Sequence, residues 1–117
     1  MRKSPLFLTA LAGMLVTSAV MAGIPRPWQV SAGTNFSIFN NRPGEKDAGL
    51  PPLTQVTIIC DEGGTALTTV VFTDGSIWQV PTVVHKPQVI TKLGIKINAI
   101  GISGLTNSQP AKGTYIY

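Results

Sequence analysis

The 117 residues contain one histidine, His85, and one cysteine, Cys60. Any imidazole or thiolate chemistry therefore has to be built on that pair. The stretch Pro81 to His85 leaves a predicted sheet at the end where Cys60 stands, which brings the two near each other. Cys60 also closes the run Val56-Thr57-Ile58-Ile59-Cys60, on the side of the strand expected to face the core. A thiol buried there is a small apolar group rather than a nucleophile. An odd cysteine in an exported chain has one other outlet, an intermolecular disulfide.

The carboxylates are too dispersed for shared chemistry. Asp61 and Glu62 fall in one expected turn and Asp74 in the next, and consecutive turns of a meander sit at opposite ends of a sheet. At roughly 3.3 Å per residue the separation is on the order of 25 Å, too far for a metal site or a paired acid and base. Glu45 and Asp47 lie in a loop. No catalytic residue, metal ligand or cofactor is assigned, and the chain is read as not an enzyme.

The basic residues form a weak pattern. Lys92 and Lys96 alternate onto one face of a late strand and Lys86 extends the stripe, but no aromatics interleave with them as they do in single-strand binders. Nine Lys and Arg stand against five Asp and Glu. Without Arg2 and Lys3 the count is seven against five, too mild an excess to argue for nucleic acid. No nucleic-acid partner is expected, and the stripe reads as a solvated strand face. Asn35-Phe36-Ser37 matches the N-glycosylation acceptor, a pattern common by chance.

The elements that must position these residues begin after residue 22. Arg2 and Lys3, the apolar run Leu6 to Met21, and Val20-Met21-Ala22 before Gly23 read as a secretory signal peptide over residues 1–22. Membrane contact is expected only through that segment before cleavage, with the mature chain periplasmic, extracellular or at the cell surface. About 95 residues remain, enough for one small domain whose core is marginal. No disulfide can form within the chain, so association with a protein partner or a second copy is the common remaining source of stability.

Residues 23–52 are rich in Pro and Gly and carry one short strand, Thr34 to Phe39, with Phe36 and Ile38 on one face. Residues 53–117 form the β-domain core. Within them, Leu53 to Val80 reads as a three-strand meander. Asp61-Glu62-Gly63-Gly64 makes the first turn and Asp74-Gly75 a two-residue type I′ hairpin turn. The implied register opposes Ile58 to Leu67 and Val71 to Trp78. It gathers Val56, Ile58, Cys60, Leu67, Val71, Trp78 and Val80 on the core face. Ile59, Val70, Phe72 and Ile77 are left on the second face needing cover, and a slip of one residue would exchange the faces.

Pro81 ends the third strand. Gln88 to Ser103 alternates again, with Val89, Leu93, Ile95 and Ile97 on one side, a break near Gly94 or Gly101 and a bulge expected at Ala99-Ile100. Thr114 to Tyr117 is a final strand. The fold class is all-β: a small antiparallel sandwich or partly open barrel built on the meander.

These features point to a non-enzymatic domain that acts through protein contacts, as a structural or accessory subunit of a cell-envelope assembly. The candidate partner-binding residues are Phe36, Ile38, Ile59, Val70, Phe72, Ile77, Tyr115 and Tyr117. The alternative is a secreted binding module or inhibitor that uses the loop over residues 40–52.

Overall fold

The computed structural model describes residues 23–117, and the signal-peptide reading of residues 1–22 lies outside the described residues. Each apolar run becomes a strand: β1 (Arg26–Val30), β2 (Asn35–Asn40), β3 (Gln55–Gly63), β4 (Ala66–Phe72), β5 (Ile77–Pro81), β6 (Gln88–Thr91), β7 (Ile97–Gly104) and β8 (Ala111–Ile116). Burial alternates along β3 and β4 with the period of two that a pleated strand imposes.

The strands make two four-stranded antiparallel sheets, in the orders β1-β8-β3-β6 and β2-β7-β4-β5. Every connection crosses from one sheet to the other except that between β4 and β5. This strand order is that of an eight-stranded jelly roll. The sheets face each other as a sandwich and do not close into a barrel. Between them lie Trp28, Val30, Ile38, Phe39, Val56, Ile58, Cys60, Val70, Phe72, Ile90, Ile97, Ile100, Ile102 and Tyr115, with Ala66 and Ala111 filling the narrower places.

The three-strand meander is not what forms. β3 pairs with β8 and β6 and makes no ladder with β4. Asp61 and Glu62 belong to β3 itself, and Gly63 and Gly64 carry the chain across to the other sheet. Gly63 takes φ 106°, and a Cβ there would lie 2.0 Å from the Pro110 carbonyl oxygen. Only glycine fits this crossing.

The β4–β5 hairpin forms, one residue out of the expected register. Val70 faces Trp78 and Val71 faces Ile77. Phe72 N–H donates to Ser76 O at 2.9 Å and Gly75 N–H to Phe72 O at 3.0 Å, so the loop is the three residues Thr73-Asp74-Gly75. Gly75 has φ 89° and Asp74 does not enter the left-handed region, the form of a type I turn closed by a bulge rather than a type I′ turn. The slip exchanges the faces of β4. Ala66, Thr68, Val70 and Phe72 point into the core, while Leu67 and Val71 are half-buried on the outside.

Two further expectations change. Residues 23–52 supply two strands, since Arg26–Val30 pairs with β8. Gln88 to Ser103 divides into β6 and β7 in opposite sheets, joined by a tight turn in which Ile95 N–H donates to Lys92 O at 3.0 Å. Leu93 at its tip is fully exposed, and Val89 is 56% exposed. The β7 register shifts between Ala99 and Ile97, placing the bulge at Asn98, one residue before the expected position.

Candidate interaction surfaces

Cys60 and His85 do come together, through the backbone. His85 N–H donates to Cys60 O at 2.8 Å, and Val84 bridges Cys60 in parallel. The side chains part from there. Cys60 is 1% exposed and its Sγ donates to Glu62 O at 3.6 Å, whereas His85 is exposed. Burial pushes the Cys60 thiol up, helped by the charge of Asp61 and opposed by its hydrogen bonds with Thr82 and with the Glu62 carbonyl oxygen. A raised, enclosed thiol holds little thiolate.

Four of the five acids, all but Glu45, are held locally. Asp74 Oδ1 accepts from Ser76 N–H at 2.9 Å and Ser76 Oγ–H at 2.6 Å, and Lys92 Nζ stands 3.3 Å from Oδ2. The Ser76 hydrogen bonds, with Lys92 behind them, hold the Asp74 carboxyl down to about 2. Asp61 accepts from Thr114 Oγ1 at 3.3 Å, Glu62 pairs with Lys112 at 3.2 Å, and Asp47 accepts from Asn40 N–H at 2.8 Å. Among the described residues no three His, Cys, Asp or Glu side chains gather as a metal site would require.

The lysine stripe is broken by the turn. Lys92 lies over the rings of Phe72 and Trp78, 5.1 and 5.7 Å from their centroids, and donates to Ser76 Oγ at 2.8 Å. It fastens the β6–β7 turn to the β4–β5 hairpin through cation–π and hydrogen-bond contacts. Lys86 and Lys96 remain exposed.

The eight residues proposed from sequence as partner-binding separate into three groups. Ile38, Val70, Phe72 and Tyr115 are buried within this chain, so the opposing sheet supplies the cover that Val70 and Phe72 needed. Phe36 is half-buried with its ring 5.8 Å from that of Tyr115. Ile59 is half-buried on the outside of the first sheet, and Ile77 and Tyr117 are exposed, at 61% and 41%.

Ile59 belongs to a row of outward residues that the sequence pattern missed because it joins strands far apart in the chain. Thr57 stands between Val89 on β6 and Ile116 on β8. In the next outward row Ile59 faces Thr114, which faces Pro27. Opposed residues share a face, so these two rows make one surface of Val, Ile, Thr and Pro side chains. Its charges are confined to one end, where Glu62 pairs with Lys112 and Asp61 holds Thr114.

The edges of the sheets are less suited to contact. Pro27 lies in β1, β2 is bulged at Ile38, Pro81 ends β5, and β6 has four residues directly after Pro87. Each is a feature that discourages strand addition. The loop over residues 40–52 is folded on itself by successive turns, with Glu45 N–H donating to Arg42 O, Ala48 N–H to Glu45 O and Leu50 N–H to Asp47 O.

No protein family, curated protein or solved structure matches this chain.

Proposed function

We propose that this chain is an exported, non-enzymatic β-sandwich that works by protein contact, as a structural or accessory subunit of a cell-envelope assembly. The observation that carries the reading is the outward surface of the first sheet, where Val89, Ile59 and Ile116 lie among Thr57, Thr114 and Pro27 and the charges keep to one end. Burying such a surface contributes about 25 cal/mol per Å² of apolar area removed from water. A marginal core without an internal disulfide gains stability from that burial.

The blunted edges favour contact through this face over strand addition. The test is particle mass by light scattering of the protein extracted under native conditions, compared with Val89→Glu. Val89 is exposed on an edge strand, so the variant keeps its fold. A wild-type particle larger than one chain, reduced to one chain by Val89→Glu, is the expected result. Equal masses for the two proteins would overturn it.

A further inference from the structure

The second sheet carries a different outward surface. Its central strand β7 presents Ala99, Gly101 and Ser103, a floor of small residues, with Val71, Thr69 and Leu67 of β4 opposite them on one side. On the other side Asn40, Ser37 and Asn35 of β2 face the same three positions. The missing side chain at Gly101 and the short ones beside it leave an open groove of about 370 Å³, within the size range of small-ligand sites.

The walls combine apolar and polar groups, with Val71 and Ala99 beside amides and hydroxyls. Asn35, Ser37, Asn40, Thr69 and Ser103 supply amides and hydroxyls, groups that both donate and accept. Among the described residues no carboxylate lines the groove. One cation does: Arg42, whose Nε–H and backbone N–H both donate to Asn40 Oδ1, at 3.0 and 3.3 Å. That hold fixes the guanidinium at one end of the groove and leaves its other donors for an anion, which a guanidinium takes in a planar fork.

We propose that this groove is a binding site for an acidic oligosaccharide, with hydroxyl-bearing sugar units along Thr69, Gly101 and Ser37 and one carboxylate at Arg42. A sugar unit offers hydroxyls to the amides and hydroxyls of the walls and a C–H ring face to Val71 and Ala99, whereas an apolar peptide side chain would leave those polar groups without partners. The floor at Ala99 and Gly101 carries nothing larger than a methyl group, which leaves room for a ring face. This site is on the opposite layer from the protein-contact surface and stands independently of it.

The experiment is an amide-shift titration of the isotope-labelled protein with tetragalacturonate, with uncharged cellotetraose as the second arm, repeated on Arg42→Ala. Arg42 is an exposed loop residue, so the substitution leaves the fold intact. Saturable shifts at Ser37, Thr69, Gly101 and Ser103 with the acidic sugar are expected. Binding of that sugar should weaken roughly tenfold or more in Arg42→Ala. No saturable shift, shifts centred elsewhere, an equal response to cellotetraose, or unchanged affinity in Arg42→Ala would each overturn the proposal.

Discussion

Trp28 faces Gly113 across the β1–β8 ladder, and its Nε1–H donates to the carbonyl oxygens of Ile59 and Thr114, at 3.1 and 3.2 Å. Trp28, Gly113 and Cys60 are cross-strand neighbours on the inner face of the first sheet. A Cβ on Gly113 would stand 1.9 Å from Ile59 O, so the strands pack there only because residue 113 has no side chain. Gly113→Ala should lower the free energy of unfolding by about 3 kcal/mol or more, the upper range for overpacking. Trp28→Phe should cost about 1 to 3 kcal/mol by removing the indole hydrogen bond shared by the two carbonyls. Urea denaturation of each variant checks both values.

The carboxyl of Asp74 supplies a pH dependence of stability. Its folded value, about 2, lies below the ordinary value of 3.8. The charged form is therefore favoured by folding, and the stabilisation is present above about pH 4 and lost as the pH falls through 2. The urea midpoint should decline across that window in the wild-type protein. In Asp74→Asn the decline should be shallower, because the amide keeps an acceptor for Ser76 but has no carboxyl to titrate.

Cys60 and His85 provide a test of the chemistry set aside above. Native Cys60 should react with a thiol reagent only as fast as the protein opens, and at the free-thiol rate in denaturant. His85→Ala should leave both rates unchanged. An imidazole acting on the sulfur would instead make the native protein the faster of the two.

The hairpin loop separates two turn geometries. With φ 89° at Gly75 alone, Gly75→Ala should cost about 1 to 2 kcal/mol, and a substitution of Asp74 should carry no penalty of that backbone kind. A two-residue turn would make both positions intolerant. Thermal unfolding of Gly75→Ala, and of Asp74→Gly against Asp74→Ala so that the lost Ser76 bonds cancel, distinguishes them: glycine at 74 restores stability over alanine only in the two-residue turn.

Local signals in the sequence located the strands better than their partners. The alternation of Val56, Ile58 and Cys60 was enough to assign the inner face of β3, because the residues between them are Thr57 and a single Ile59. β4 offered no such contrast. Leu67, Thr69 and Val71 are as apolar as Ala66, Thr68, Val70 and Phe72, so its face depended wholly on the turn, and one extra loop residue reversed it. The reversal puts the Thr68 hydroxyl in the core without a partner among the described residues, a placement that hydrophobic patterning disfavours.

The partners of β3 were illegible for a different reason. Asp61-Glu62-Gly63-Gly64 has the composition of a hairpin turn and serves as a crossing between sheets. The choice is made by β8, about fifty residues on, whose Tyr115 and Gly113 take the places beside Ile58 and Cys60. The Val89-Thr57-Ile116 row exists only once those distant strands pair. Sequence pointed to Ile59 and Ile77 as apolar residues left outside, and it could not say that Val89 and Ile116 would join the first of them.

The most direct measurement of the central claim is site-specific photo-crosslinking in the producing cell. A photoreactive residue at Val89 should give discrete adducts, with a second copy or with another protein, while one at Gln79 on the outside of the other sheet should give few or none. Adduct yields at Val89 no higher than at Gln79 would contradict the assignment of the first sheet's outer face as the surface through which this protein works.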